Sequence, residues 1–352
     1  CQAEVTIEMN AGMETIEWLF SEQLRVDDKW SVRTPNGFRW WADRNEQTVE
    51  VVGQETGPDG EIGYAVSVRT ELLRSLHLGD GELRVIPILM GFASMAGPVY
   101  DQEAKTLRLC SLVRVHKAIS KWMNPLISVA ALLQIGEARI MGSLLAKMLN
   151  AEEALSGPPH HGLRPEPDEM AEIIATLIAP MGGQPSRWSP AEFQDVVDRF
   201  MNQPPALLGS AGGPGFTVEF PYGDHSSLCR AMADQPHPRY GNGLFLLQTF
   251  PVKATSNTDG VKLALSMNKI ELTERPAGYG FGSYAYKDNA LHYTSFLPNA
   301  LYRPGLLPNI YFSCAQRARE MSVRLVGSDW ASTSFTLRHS PLGRMMERLR
   351  GR

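Results

Sequence analysis

Apolar side chains recur at helical spacing over residues 13–24, where Ile16, Phe20 and Leu24 share one stripe. The period then falls to two. Segments 30–33 and 63–70 alternate apolar and polar positions, as in Tyr64-Ala65-Val66-Ser67-Val68, 38–42 and 47–52 read as strands between them, and Pro35-Asn36-Gly37 reads as a hairpin turn between 30–33 and 38–42. Such alternation predicts antiparallel strands covered on one face. Residues 72–78 read as a short helix and 83–89 and 106–115 as further strands; Asn124-Pro125 opens a helix that continues to about Leu149.

Periodicity disappears between 151 and 167. Ser156-Gly157-Pro158-Pro159-His160-His161-Gly162, followed by Pro165 and Pro167, predicts an extended and poorly paired linker, because proline fixes φ and lacks a backbone donor. A helix is expected over 168–178, ending before Pro180 and Gly182-Gly183. Ser189-Pro190 marks a new helix start, with serine as cap and proline at the first helical position, and Phe193, Val197 and Phe200 form its stripe. Strands are expected at 216–220, 244–252, 261–267, 282–286 and 291–296, with a flexible loop at 209–215 and a closing helix over 310–325.

The halves therefore repeat an order of helix, strands and long helix, and individual phrases recur. Leu107-Arg108-Leu109-Cys110-Ser111-Leu112 is echoed by Leu291-His292-Tyr293-Thr294-Ser295-Phe296. Each is followed by an apolar helix carrying an Ala-Arg pair, Ala138-Arg139 and Ala318-Arg319. The predicted fold class is α+β: two tandem pseudo-repeated units, each an antiparallel sheet with a leading helix and a long closing helix. The units span 12–150 and 188–326, separated by a proline-rich linker and helix at 151–187 and followed by a basic tail at 327–352.

Composition adds little to this picture. At 352 residues the chain is long enough for two cores, and 43% hydrophobic with 20% charged residues is ordinary for a globular protein. A net charge of -4 argues against a nucleic-acid partner, which needs a concentrated basic face. The cysteines Cys1, Cys110, Cys229 and Cys314 are widely spaced, which fits small buried hydrophobes in a reducing cytoplasm. A chain starting at Cys1 admits a lipid-bearing mature terminus or a trimmed fragment, the second being simpler. No membrane span is expected, because the best apolar stretch, 126–149, is interrupted by Gln134, Glu137, Arg139 and Lys147.

No residue set declares a chemistry. The glycines of 209–215 and 278–282 do not sit between a strand and a helix with a following Gly-Lys-Ser/Thr, so they read as turns. His160-His161 has no metal-ligand spacing around it. Asp224-His225-Ser226 lacks the strained elbow of an acyl-transfer serine, and sequence neighbours rarely face one another. Arg338, Arg344, Arg348, Arg350 and Arg352 with Leu342, Met345, Met346 and Leu349 read as a solvated tail, or as a short basic amphipathic helix. No catalytic, metal or cofactor residues are singled out. The aromatics are the candidate partner-binding residues: Trp40 and Trp41 in the first unit, and Tyr279, Phe281, Tyr284 and Tyr286 in the second. Internal packing on both sides of a sheet explains the same crowding.

Trp30-Ser31-Val32, Gly37-Phe38-Arg39-Trp40, Leu265-Ser266-Met267-Asn268, residues 291–298 and Ala315-Gln316-Arg317-Ala318-Arg319 together give a pattern that resembles the type III secretion chaperone-like fold, shared with YbjN-like proteins. It is closest to the tandem actinobacterial TY-Chap type, and covers about 13–149 and 190–325. The resemblance implies a compact unit with a helix packed across a sheet, no catalytic set, and binding of a protein partner through sheet and helix surfaces. Secretion chaperones are usually small acidic dimers, so a tandem chain implies a pseudo-dimer built into one polypeptide. The expected function is thus a cytoplasmic, non-enzymatic chaperone-like or adaptor protein. The rival readings are a hydrolase or transferase of unrecognised type, gathering Asp224 and His225 in a pocket, and a small-ligand sensor.

Overall fold

A computed structural model describes residues 9–56, 60–87, 89, 94–172, 187–201 and 203–327. The basic tail, Cys1 and most of the helix expected at 168–178 lie outside them. The chain divides into two units, one of Cys1–Leu76 with Tyr100–Ala175 and the other of His77–Val99 with Thr176–Arg352. The division differs from the sequence expectation in two respects: residues 77–99 group with the second unit, and residues 151–175 of the expected linker group with the first.

The first unit opens with α1 (Ala11–Trp18), whose N-cap Asn10 accepts a hydrogen bond from Met13 N at 2.9 Å. Strands β1 (Ser31–Thr34), β2 (Gly37–Trp40), β3 (Gln47–Thr56) and β4 (Ile62–Arg74) then form an antiparallel meander. Strands β5 (Gly97–Asp101) and β6 (Thr106–Val115) follow, and the sheet order is β1-β2-β3-β4-β6-β5. Alternation buries Phe38, Trp40, Val49, Val66, Val68, Leu107 and Leu109 on one face. Against that face lies α2 (Ser120–Met148), burying Ile127, Ala130, Ala131 and Leu133. By length and hydropathy α2 could cross a membrane, yet 67% of its apolar window is buried inside the protein. A short β7 (Glu152–Glu153) pairs with β4.

The second unit repeats this plan. It opens with α3 (Pro190–Val196), capped by Ser189, whose Oγ accepts from Glu192 N at 3.2 Å. Next come β8 (Leu208–Ala211), β9 (Gly215–Tyr222), β10 (His225–His237) and β11 (Gly241–Pro251) as a meander. After α4 (Asn257–Lys269) come β12 (Ser283–Lys287), β13 (Ala290–Pro298) and the closing α5 (Leu306–Val326). The strand order is β8-β9-β10-β11-β13-β12, strand for strand that of the first unit. Register supports the recurrent phrase as well. Val68 pairs with Ser111 on β6, and Leu246 pairs with Ser295 at the matching place on β13.

Several local expectations fail for identifiable reasons. β4 continues through Leu72 and Leu73, both fully buried, because a register shift between Glu71 and Leu73 breaks the alternation that marks a strand. The described residues of 83–89 do not form a strand; a turn at Glu82–Arg84 leads into helical residues. The 261–267 strand is instead the middle of α4, started by Ser256, whose Oγ accepts from Asp259 N at 3.1 Å. The flexible loop expected at 209–215 overlaps β8 and the first residue of β9, and β10 had no counterpart in the expectation. The linker is not poorly paired. Ser156 N donates to Arg44 O at 2.8 Å and Asp168 N to Ala42 O at 2.6 Å, while Arg164 donates to Trp41 O at 3.0 Å and to Asp168 at 2.9 Å. It is a strap bound along the first unit.

Candidate functional site

The aromatics singled out by sequence are interior groups. Trp40 is buried beneath α2's sheet face, and Trp41, on the opposite side, lies under the strap, its Nε1 donating to Ser156 Oγ at 2.9 Å. Phe281, Tyr284 and Tyr286 are also buried, and Tyr279 is half-buried. Side chains in these positions brace the protein instead of presenting a surface to a partner, and the reason is coverage by distant segments.

Two of them, Tyr279 and Tyr284, converge on a buried ion pair in the second unit, together with Tyr293. Arg317, on α5, donates to Glu271 from Nε at 3.0 Å and from Nη2 at 2.8 Å, both side chains fully buried. Tyr284 OH donates to Glu271, and Tyr293 stacks its ring 3.6 Å from the guanidinium. The Tyr279 carbonyl accepts from Arg317 Nη2 and from Tyr293 OH, both at 2.9 Å. Burial opposes the charge on Arg317, but the adjacent Glu271 carboxylate outweighs it and holds the guanidinium protonated more firmly than usual. Burial, reinforced by Glu271, pushes the Tyr284 phenol well above its ordinary range. Gly278 has no room for a side chain, because a Cβ there would lie 2.5 Å from Ser313 Oγ and 2.9 Å from Arg317 Nη2. This set is closed to solvent and holds α5 to the sheet.

The remaining sequence candidates are dispersed. Asp224 and His225 are exposed in the β9–β10 hairpin turn, and His160 and His161 are exposed on the strap. Among the described residues no group of three or more His, Cys, Asp or Glu could hold a metal ion. Cys110, Cys229 and Cys314 are buried free thiols, and burial lifts Cys110 to about 12.

The outer faces of the two sheets, turned away from the closing helices, differ sharply. Across β3, β4 and β6 the first sheet carries Glu46, Glu50, Arg69, Glu71 and Arg108. Arg69 pairs with Glu50, Arg108 with Glu71 at 2.6 Å, Arg114 with Glu55 at 2.6 Å and Arg39 with Glu46 at 3.7 Å. At the matching positions of β10, β11 and β13 the second sheet carries Leu228, Met232, Leu247, Thr249 and His292, in the registers Leu228–Thr249–His292, Arg230–Leu247–Thr294 and Met232–Phe245–Phe296. Leu228, Met232, Phe245 and Leu247 are half-buried, and Arg230 beside them is exposed.

At one end of that face is a cleft of about 320 Å³ lined by Gln235, Pro236, His237, Pro238, Phe245 and residues 294–296. Its wall is preset. The register shifts between Met232 and Gln235, and Asp234 within the shift has a left-handed φ of 55°. Beyond it the His237 ring lies between Tyr240, 4.6 Å away, and Phe296, 4.7 Å away. Sequence gave one sign of this surface: Leu244-Phe245-Leu246-Leu247 is apolar on both faces of a strand.

No family model, no curated protein and no solved structure matches this chain.

Proposed function

We propose that this protein binds a partner polypeptide on the outer face of its second sheet, as a non-enzymatic chaperone-like or adaptor protein. One observation carries the reading: Leu228, Met232 and Leu247 leave apolar area at positions where the sister sheet holds the paired charges Glu46, Glu50 and Arg69, and Phe245 stands where it holds Ser67. A sheet that needs only to stay in water tolerates the charged set, so the apolar set calls for a ligand of its own. The shared order of leading helix, meander, inserted hairpin and closing helix supports the resemblance to type III secretion chaperone-like units, whose members bind proteins through such surfaces. Asp224 and His225, the focus of the hydrolase reading, sit at the end of β10 opposite the cleft, which favours binding over catalysis there.

The test is retention of a panel of extended peptides by the full chain, measured by fluorescence anisotropy. Peptides with alternating apolar residues are expected to bind, and the double change Met232→Glu with Leu247→Arg, which copies Glu50 and Arg69, is expected to lower affinity at least about tenfold while the fold persists. Equal binding by the parent and the double variant would overturn the assignment to this face.

A further inference from the structure

We propose that the second sheet recognises an extended peptide in which an aromatic side chain and an acidic side chain are separated by one residue. The aromatic group enters the cleft at Phe245, Phe296 and His237, and the carboxylate meets Arg230. This rests on the polypeptide-binding reading above and names the kind of segment bound.

The spacing follows from the sheet. The register Met232–Phe245–Phe296 forms one row across the outer face and Arg230–Leu247–Thr294 the next. Adjacent rows are two residues apart along each strand, about 7 Å, which is also the separation of side chains i and i+2 in an extended peptide. A ligand lying along β10 and β11 therefore places alternate side chains over successive rows, in either chain direction. The first row opens into the cleft, whose volume of about 320 Å³ takes one large side chain, and whose aromatic and proline walls suit a ring. Gln235 and Thr294 at its rim supply polar groups to orient the occupant.

Charge decides the second position. Arg230 is exposed on the middle row and forms no ion pair among the described residues, whereas on the first sheet's outer face Arg39, Arg69, Arg108 and Arg114 each have a glutamate. Glu219, in the next row beside Leu228, does not pair with Arg230 either, and so leaves the guanidinium available. His292, also in that row, is engaged with Thr249 Oγ1 at 3.0 Å. An arginine held without a counterion on an apolar surface favours a carboxylate from outside.

Four labelled peptides of one length and composition class test this with the full chain: Phe-x-Asp, Asp-x-Phe, Phe-x-Lys, and Phe and Asp adjacent. The first two are expected to bind about tenfold more tightly than the other two. Arg230→Glu, an exposed change with the melting temperature as fold control, is expected to reverse the preference in favour of Phe-x-Lys. Phe245→Ser, which copies Ser67 of the first sheet, is expected to weaken all four. Equal affinity for the Asp and Lys peptides, or no reversal in the Arg230→Glu chain, overturns the proposed motif. Tight binding of all four alike does so too, while sparing the broader reading of a peptide-binding face. Binding of free phenylpropionate as tight as that of the peptides would assign the cleft to a small molecule instead. Binding of none of the peptides removes both.

Discussion

The two units share one topology, but one carries a ladder of ion pairs on the outer face of its sheet and the other buries an ion pair beneath its sheet. Under the first sheet, Gln134 of α2 donates to Ser111 Oγ at 2.9 Å and accepts from Thr70 Oγ1 at 3.0 Å, and Gln47 donates to Ala131 O at 2.8 Å. Glu137 lies one turn on and is also buried. Under the second sheet, Gln248 donates to Cys314 O at 2.9 Å, as Gln47 does to Ala131 O. Three residues beyond each carbonyl stands a buried polar side chain, but it is Gln134 in one helix and Arg317 in the other. Outside, the pattern inverts, with paired arginines and glutamates on the first sheet and leucine, methionine and phenylalanine on the second. The same scaffold thus tolerates an ion pair in its interior or on its rim. Where the exterior carries no charge ladder, it is free to evolve a ligand face.

The contrast makes its largest prediction inside the second unit. Arg317→Met leaves Glu271 buried without its cation and is expected to cost about 3–5 kcal/mol. Adding Glu271→Leu should restore most of it; urea denaturation of both variants checks this, and a double variant as unstable as the single one would contradict the charge-based account. Gln134→Leu in the first unit strands neutral partners only, Thr70 and Ser111, and is expected to cost about 1–3 kcal/mol by the same measurement. Exchanging exteriors is milder. Glu50→Met with Arg69→Leu removes a half-exposed pair, so stability should change by about 1 kcal/mol or less, yet the first sheet should gain peptide affinity in the anisotropy assay.

The smallest effect concerns pH. Burial, partly offset by Arg39, lifts the carboxyl of Glu46 above its ordinary range. The folded chain therefore holds this proton more tightly than the unfolded one, so the group's contribution favours folding at low pH and is lost as pH rises through its unfolded and then its folded pKa. Glu46→Gln should accordingly leave stability unchanged near pH 3 and raise it by less than about 1 kcal/mol at pH 7. Parallel denaturation curves offset equally at both pH values would contradict the desolvation account.

How much of this was readable beforehand differs by element. The repeat was legible because β6 and β13 carry matched phrases, and the start of α3 because Ser189-Pro190 is a strong local signal. The strand β10 was not. Its inward residues Ser227, Cys229, Ala231 and Ala233 are small or polar, while Leu228 and Met232 point outward, so hydrophobicity marks the wrong face. α4 was misread because Val261, Leu263 and Leu265 alternate, although Ser256 and Asp259 form the capping pair of a helix start. As sequence neighbours Trp40 and Trp41 face opposite sides, but nothing local announces that residues 156–168 cover the second. The aromatic cleft depends on a bulge and on pairing between β11 and β13, some 50 residues apart, and no spacing rule brings those together.

Because residues 77–99 count with the later half, the polypeptide passes from one unit to the other three times, after Leu76, after Val99 and after Ala175. Neither half is therefore a contiguous stretch of gene. A protease nick between 175 and 187 would sever only one of three tethers, and a truncation at either side of it would leave one unit without a piece it is built from. Folding and turnover of this molecule should accordingly be a joint event, with the halves surviving or failing together.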